Sequence, residues 1–443
     1  MVILTLNCGS SSLKYQLYDW QAKEVLAVGA VERIGQNISS YEHTTKYGLV
    51  KDSCTIEDHK RAFAFVLDLI VNQQQAVIES IDSIKAVGHR VVHGAEYFTK
   101  SVIIDEVAMR LFESLVSLAP LHMPANLTGI KAAKELLPDI PHCAIMDTAW
   151  HQTMGPESFM YALPYDWYTR YQIRRYGFHG TSYIYTAKRA AVLLGKNPRD
   201  TNLIIAHIGN GASICAVKNG VCIDTSMGFT PLEGLIMGTR SGDIDPAIIP
   251  YMMEKGEMSA REIDAILNKN SGLLAISGKY TDRRDIRDAA ANDDERCALA
   301  IKMECHRLKK YIGAYVAIVG TIDAIVFTAG VGEMAPHIRL GALSGLEHLG
   351  ISIDKEKNQQ AMCRNAELCI SSDSSKIKVF IIPTDEELVM TEDTYALLSN
   401  TYDVHTRFTY SFESKEYVNK ARARAFKEDL KKRGYLSDLL IKC

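Results

Sequence analysis

The chain carries one strand-turn-strand pattern twice, and this repeat restricts its possible folds more than any other feature. Residues 4–11 are LTLNCGSS and residues 204–211 are IIAHIGNG, so aligning the two copies places Gly9 opposite Gly209. In both copies an apolar run ends in a turn of small residues and a second apolar run follows, as expected for two tightly joined strands. A unit repeated within 443 residues indicates two related domains, each with its own core.

Strand and helix patterns alternate along the whole chain, which predicts an α/β fold. We expect the first domain to contain residues 1–150 and about 384–403, because the first half lacks a closing helix and the pattern of 386–398 supplies one. Residues 151–383 then form the second domain. A ligand would be expected in a cleft between the two domains.

Residues 404–443 differ in composition and form a basic C-terminal extension. They contain ten Lys and Arg against five Asp and Glu, and their apolar residues recur with helical spacing. The favoured interpretation is a solvated amphipathic helix packed on the surface. A contact with a partner or with nucleic acid is the alternative.

Charge and hydropathy exclude several classes of function. The 50 Lys and Arg nearly balance the 53 Asp and Glu, for a net charge of −3, so no overall field attracts nucleic acid or an anionic membrane. No apolar run approaches the ~18 residues of a membrane helix, and the N-terminus lacks the pattern of a secretory signal. The 10 cysteines form no CxxC pair, which favours reduced thiols. These features predict a cytoplasmic protein that binds neither nucleic acid nor membranes.

Small-residue turns and two arginines are typical of anion binding. From Asn7 to Lys14, backbone N–H groups and hydroxyls can approach a phosphate, although plain hairpins share this pattern and no Walker loop is present. Arg240 lies in a turn rich in Gly, Ser and Thr that resembles a rigid anion clamp. Arg90 follows a strand and could also grip a carboxylate or phosphate in a bidentate fork, with a surface salt bridge as the alternative.

Asp147 and His179 are candidate functional groups at the ends of elements. Asp147 follows a predicted strand, where open α/β sheets place ligand-binding residues. His179 precedes a predicted helix, whose free N–H groups would help it to stabilise negative charge, with a structural histidine as the alternative. Apolar Val92, Leu121 and Phe178 could form a small pocket for a short alkyl group.

Two further stretches suit a nucleotide and its metal. Residues 329–333, AGVGE, follow a buried strand and offer a flat glycine surface for a base or ribose. Residues 384–387, TDEE, offer the hard oxygen ligands that magnesium prefers.

Seven motifs together resemble those of the acetate kinase family over residues 1 to about 400. They are NCGSSSLK, GHRVVHG, FHGTS, HIGNGAS, GTRSGDIDP, TAGVGE and PTDEEL, in family order and spacing. The resemblance implies an α/β fold of two duplicated ribonuclease-H-like domains, as in the superfamily of acetate and sugar kinases, chaperones and actin. It also implies reversible, magnesium-dependent transfer of the terminal phosphoryl group of ATP to acetate, giving acetyl phosphate and ADP, with manganese as a possible substitute. A homodimer is implied as well.

The resemblance also assigns roles to single residues. The implied catalytic group is Asp147, His179 and Arg240, and the implied metal pair is Asn7 and Glu386. The implied substrate site contains Arg90, Val92, Leu121, Phe178 and Pro231. The implied ATP-binding residues are Lys14, His207, Ile208, Gly209, Asn210, Gly211, Asp282, Arg283, Arg284, Gly330, Val331, Gly332, Glu333 and Met334, with Ile338 and Arg339 near the adenine.

Physical chemistry limits what these residues would do. Phosphoryl transfer develops charge on the equatorial oxygens, which arginines, a histidine and magnesium can stabilise. Acetate is already ionised near pH 7, so Asp147 is interpreted as an orienting group for an arginine or a metal-bound water rather than a base.

The chain departs from the family pattern at Met123, Met334 and Asp385, where Asn is usual, and at Arg283, where Met is usual. These changes bear on nucleotide preference and metal affinity. A sugar kinase would need Asp147 as a base, and a chaperone or filament would need segments that are not visible. A propionate kinase is the nearest rival, because one methylene is worth only ~1 to 3 kcal/mol in such a pocket.

Overall fold

The computed structural model describes residues 1–71 and 76–441, which fall into two compact units. The first unit contains Met1–Gln152 and Asp385–Ser411. The second contains Thr153–Thr384 and the chain from Phe412 onward. Each unit has one mixed sheet with helices, so the predicted α/β class is confirmed.

The first unit is built on an eight-stranded sheet with the order β5-β4-β3-β2-β1-β6-β8-β7. Its strands are β1 Val2–Gly9, β2 Ser12–Asp19, β3 Glu24–Glu32, β4 Ser39–Thr45, β5 Gly48–Cys54, β6 Ile84–Val91, β7 Val102–Ile103 and β8 His142–Met146. Its helices are α1 His59–Val71, α2 Glu106–Ser114, α3 Met123–Leu136 and α15 Glu386–Leu398. Alternate apolar residues of β1 and β2 pack against the apolar stripe of α1, as Leu4, Leu13 and Phe63 show.

The second unit is built on a six-stranded sheet with the order β11-β10-β9-β12-β14-β13. Its strands are β9 Leu203–Ile208, β10 Ala212–Lys218, β11 Val221–Thr225, β12 Ala324–Thr328, β13 Leu368–Cys369 and β14 Lys378–Ile381. The central strands β9 and β12 are buried along their whole length, which explains their continuous apolar runs.

Helices α4 to α14 and α16 complete the second unit. They are α4 Pro156–Phe159, α5 Tyr165–Tyr171, α6 Gly180–Leu194, α7 Ile248–Lys255, α8 Ala260–Lys269, α9 Gly272–Ser277, α10 Arg283–Ala291, α11 Glu295–Val319, α12 Ala329–Met334, α13 Pro336–Leu343, α14 Lys355–Gln360 and α16 Lys420–Lys432. The long helix α11 begins at the N-cap Asp294, whose carboxylate accepts a hydrogen bond from Cys297 N, and it packs against β9 and β10.

The two sheets share one topology. In the first, β1, β2 and β3 form antiparallel neighbours and β6 and β8 continue parallel to β1. In the second, β9, β10 and β11 are antiparallel neighbours and β12 and β14 continue parallel to β9. The order β3-β2-β1-β6-β8 therefore matches β11-β10-β9-β12-β14. The turns at Gly9 and Gly209 occupy the same place in the two copies, in agreement with the repeat in the sequence.

The extension expected over 404–443 is divided between the units. Residues 404–411 belong to the first unit and residues from 412 onward to the second. Most of the basic residues lie on or beside α16, and Lys442 and Cys443 are outside the described residues. Among the described residues, no helix combines the length and apolar character that crossing a membrane requires.

Candidate active site

Polar side chains gather at one edge of the first sheet because three of its strands are parallel. Asn7 lies near the carboxyl end of β1, Arg90 near that of β6, and Asp147 directly follows β8. Glu386 is the first residue of α15, which packs against all three strands. The predicted metal pair, Asn7 and Glu386, thus belongs to the same unit as Arg90 and Asp147 and lies at the same edge of its sheet.

Arg90 and Asp147 form a bidentate ion pair. Arg90 Nε donates to Asp147 Oδ1 at 2.9 Å, and Nη2 donates to Oδ2 at 2.6 Å. Asp147 is 1% exposed while 22% of the Arg90 side chain stays accessible. Burial by itself would lower the pKa of Arg90, but the Asp147 carboxylate raises it. Asp147 therefore fixes the plane of a guanidinium that keeps N–H groups for a further anion.

Two residues that the sequence analysis did not single out support this edge. Asn126 on α3 accepts a hydrogen bond from Val92 N at 2.9 Å and donates to Cys8 O at 2.9 Å, so it ties the ends of β1 and β6 together. The ring of His59 on α1 hydrogen-bonds Gly9 O at 2.7 Å and holds the first Gly-Ser turn. The available sign in the sequence was Pro124, which favours the start of a helix, and the structure buries Asn126 in the first turn of that helix.

The first unit offers oxygen donors for a divalent metal. Asp385 is the N-cap of α15, where its Oδ1 accepts from Leu388 N at 3.1 Å, and Glu386 and Glu387 fill the first helical turn. Asn is as good an N-cap as Asp, so this departure from the family pattern preserves the local structure. Amide and carboxylate oxygens are the ligands that magnesium prefers, so the residue types of Asn7 and Glu386 fit the metal that the sequence implied.

The structure also describes the other residues of the first unit that were predicted for the site. Lys14 is exposed on β2 directly opposite Asn7 of β1. Val92 is buried, whereas Leu121 is 46% exposed, and Met123 is fully buried as the first residue of α3. Phe178 and Pro231, predicted for the same alkyl pocket, belong to the second unit, and the pocket stays a prediction.

In the second unit, His179 is held in a constrained position before α6. Its φ of 63° is left-handed, which is uncommon for any residue other than glycine. Nδ1 hydrogen-bonds Ser213 Oγ at 2.8 Å, and the ring stacks on His207 with centroids 4.0 Å apart. His207 in turn hydrogen-bonds Ser182 Oγ at 2.8 Å. Packing and hydrogen bonds thus fix the ring of His179 beside the turn after β9.

Arg240 and His179 both lie beside Gly211. A methyl carbon added at Gly211 would be 3.6 Å from Arg240 Nη1 and 3.6 Å from His179 Nε2, so both side chains border this glycine. Arg240 Nη1 contacts the Pro231 carbonyl at 3.4 Å and the Met237 sulfur at 3.8 Å. Burial lowers its pKa. No carboxylate in the described part of the chain pairs with this partly buried cation, which is the property of an anion-binding group.

The turn from Gly209 to Gly211 is braced by an arginine that the family pattern lacks. Arg283 at the start of α10 donates to Gly209 O at 2.9 Å and forms an ion pair with Glu304 of α11. The neighbouring Asp282 is the N-cap of α10, and hydrogen bonds from Arg284 lower its pKa to about 2. Arg283 thus holds the backbone of the turn at Gly209.

The second predicted nucleotide stretch is the short helix α12. Gly332 O and Glu333 O accept hydrogen bonds from Arg339 at 2.8 and 3.0 Å, and the same guanidinium donates to Asn358 and Ala361. Arg339 is therefore a fully buried support for the turn, and Ile338 beside it is buried too. Burial lowers the pKa of Arg339 to about 9 and raises that of Glu333 to about 7.

A cavity of about 800 Å³ lies between these two stretches; we call it the second-unit cavity. The predicted residues that line it are Gly209, Asn210, Asp282, Arg283, Arg284, Gly330, Val331 and Met334. Other predicted nucleotide residues lie beside the cavity in the chain without lining it: His207 and Ile208 end β9, Gly211 ends the turn that follows, and Gly332 and Glu333 belong to α12. His337, Met362 and Arg364 also line it and were missed, because their chain positions give no motif.

The sequence also matches a known protein family. The model of the acetokinase family matches residues 2–392. An acetate kinase of Treponema pallidum (strain Nichols) is 56% identical over 444 residues, covering 100% of this chain and 99% of that protein, so the alignment includes the C-terminal region.

Solved structures give the same result. The crystal structure of Porphyromonas gingivalis acetate kinase has a TM-score of 0.85 and 44% identity, covering 90% of this chain and 99% of that one. A propionate kinase from Francisella tularensis subsp. tularensis SCHU S4 has a TM-score of 0.83 and 40% identity, covering 89% and 99%. The chain therefore belongs to the acetokinase family.

Proposed function

We propose that this protein transfers the γ-phosphoryl group of ATP reversibly to acetate, giving acetyl phosphate and ADP, and that the reaction needs magnesium. Family membership makes the chain an enzyme, a kinase. The observation that carries the proposal is Arg240, a partly buried cation beside Gly211 and His179 without a carboxylate partner in the described residues. A phosphoryl group is an anion of the size and charge that such a position would stabilise.

The second unit would bind the nucleotide. The second-unit cavity has room for a nucleoside and is lined by glycine surfaces and arginines. The Gly209 to Gly211 turn and Arg240 would hold the phosphates, while Gly330 and Val331 would accept the base or ribose.

The first unit would bind the carboxylate. Arg90 is oriented by Asp147 and keeps an accessible edge, so it would pair with acetate, or with the acyl phosphate in the reverse direction. Asp147 already accepts two hydrogen bonds from Arg90, and acetate needs no deprotonation near neutral pH. Asp147 thus acts as an orienting group, and the chemistry requires no base.

The metal would be held by Asn7 and Glu386. When bound, magnesium would neutralise charge on the phosphate oxygens. His179 and Arg240 would stabilise the charge that develops on the transferred group, and their fixed surroundings reduce the reorganisation that the reaction needs.

We propose in addition that the protein is a cytoplasmic homodimer. The second unit leaves several large apolar side chains exposed, among them Tyr165 at 64%, Tyr251 at 61% and Tyr171 at 54%. Where such side chains form one contiguous patch, they favour association between chains. No disulfide joins the nine cysteines in the part of the chain that the structure describes, as expected for a reducing compartment.

The test is to trap acyl phosphate as the hydroxamate, with ATP and magnesium, using acetate, propionate, butyrate and glycerol as acceptors. We expect product with acetate, less with propionate, and none with butyrate or glycerol. A rate with propionate above that with acetate would assign the protein to the rival propionate reaction. Absence of hydroxamate with every acid, with GTP or pyrophosphate as alternative donors, would refute the proposal.

A further inference from the structure

The C-terminal segment, defined here as residues 412–441, is bound into the second unit by buried charges. Arg189 of α6 forms a bidentate pair with Glu367 and donates to Phe412 O at 2.8 Å. Lys188 pairs with Glu413 at 3.0 Å, and these two side chains are only 7% and 11% exposed. The start of the segment is therefore anchored in the unit, whereas its helix α16 has no buried residue and packs on the surface, as its composition predicts.

The segment also holds the loop from Met362 to Asn365. Arg433, just after α16, donates to Met362 O at 2.6 Å and pairs with Asp429 at 2.7 Å. Asp429 in turn accepts a hydrogen bond from Asn365 Nδ2 at 2.8 Å. The two ends of this short loop are thus attached to one ion pair of the C-terminal segment.

The same loop forms one wall of the second-unit cavity. Met362 and Arg364 line the cavity together with Gly330. A methyl carbon added at Gly330 would be 3.2 Å from Arg364 Nη2, so the guanidinium lies against the start of α12. Within the described residues Arg364 makes no hydrogen bond or ion pair, and its side chain is exposed. It is therefore available to a ligand in the cavity.

A second contact links the segment to the end of β14. Arg422 donates to Pro383 O at 2.7 Å and to Thr384 O. The charges of Arg422 and Arg364 also act on Glu333 of α12, whose pKa burial raises. The C-terminal segment thus reaches both the cavity wall and the strand end that precedes Glu386 in the chain.

We infer that the C-terminal segment is a positioning element for the nucleotide. Asp429 and Arg433 hold the loop from Met362 to Asn365 so that the planar guanidinium of Arg364 lies against Gly330 and contacts the base or ribose of the bound nucleotide. This inference rests on the nucleotide site of the proposed function. It assigns nucleotide affinity, and not acetate affinity, to residues outside the motifs of the family.

The test compares Arg433→Ala with Lys431→Ala, which removes an equal charge two residues earlier, in the last turn of α16, where Lys431 forms an exposed pair with Glu428. We expect Arg433→Ala to raise the Kd for ADP in calorimetry and the KM for ATP by about five- to tenfold, the effect of losing one or two hydrogen bonds. The KM for acetate should change by less than about twofold. Lys431→Ala should leave all three values unchanged, and Arg433→Lys should restore part of the ADP affinity.

A double-mutant cycle tests the route through Arg364. Arg364→Ala should weaken ADP binding by a similar factor, and adding Arg433→Ala to it should have little further effect, because both act on one contact. Additive effects, or an equal rise in both KM values with a lower melting temperature, would show a purely structural role and overturn the inference. Because ADP binding is measured without turnover, loss of the kinase reaction alone would refute the proposed function and not the positioning role.

Discussion

Buried and partly buried arginines in this protein differ in their partners. The difference distinguishes arginines that stabilise the fold from one that is available to bind an anion. Arg283 is paired with Glu304, and Arg339 is surrounded by backbone carbonyls. Arg175 is paired with Glu233 and donates to the carbonyls after β11. Among the described residues Arg240 has no carboxylate partner and contacts one carbonyl, that of Pro231, at 3.4 Å, so little in the fold offsets the cost of its partial burial.

Replacing Arg240 with Ala should therefore reduce activity without reducing stability. We expect kcat/KM for acetate to fall by about 10³-fold, the usual effect of removing an arginine that stabilises a phosphoryl-transfer transition state. The melting temperature should stay the same or rise. Arg407→Ala, which removes an exposed arginine paired with Asp403, serves as the control. A folded Arg240→Ala enzyme with kcat/KM within about tenfold of the unaltered one would remove Arg240 from the mechanism.

At the scale of one helix, Asp385 caps α15 at a position where the family usually has Asn. Substitutions there test whether the carboxylate stabilises the helix more than an amide would. Because both residue types cap helices equally well, Asp385→Asn should leave the free energy of unfolding within about 0.5 kcal/mol of its original value, whereas Asp385→Ala should lower it by about 1 kcal/mol. Denaturant titration measures both. An Asn variant as unstable as the Ala variant would show that the carboxylate has a role beyond capping Leu388 N.

At the scale of the first sheet, two histidines make stability depend on pH. His89 of β6 and His142 of β8 are hydrogen-bonded at 2.9 Å, and burial lowers the pKa of both. The unfolded chain binds protons near pH 6.5 while the folded chain resists them, so stability is present above that pH and is lost as pH falls.

We expect His89→Gln, which keeps a hydrogen-bond donor for His142, to reduce this loss. Between pH 7 and pH 5 the free energy of unfolding should fall by about 2 kcal/mol less than in the unaltered protein. Calorimetry at several pH values measures the difference. Identical pH dependence in the two proteins would show that His89 is protonated within the fold.

The hairpin of β4 and β5 is a part of the fold that the sequence pattern does not predict. β5 is mostly exposed, β4 buries Ser39 and His43, and both strands carry few apolar residues, so their alternation is too weak to predict strands. The backbone hydrogen bonds that form them come from the pairing of β4 with β3 and of β5 with β4. By contrast, the helix predicted over 386–398 has those bounds in the structure, because its N-cap and apolar spacing are local properties.

At the scale of the whole molecule, the proposed dimer predicts a particle of twice the chain mass. Light scattering of the unaltered protein should give that mass. Tyr251→Asp should shift the equilibrium toward the monomer, because a charge replaces an exposed apolar side chain of the second unit. Tyr47→Asp, at an equally exposed position in the first unit, is the control. A monomer mass for the unaltered protein would refute the dimer.

The sequence by itself determined the features that depend on neighbouring residues or on repeats. The repeat around Gly9 and Gly209 predicted the duplication, the order of the motifs predicted the family, and the alternation of strand and helix patterns predicted the α/β class. Each of these features is a pattern in the order of residues along the chain. Only the tertiary structure decided which charges meet. The pairing of Arg90 with Asp147, the link through Asn126, and the hold of Arg433 on Met362 join residues far apart in sequence. Such contacts follow from strand order and helix packing, which no local pattern contains.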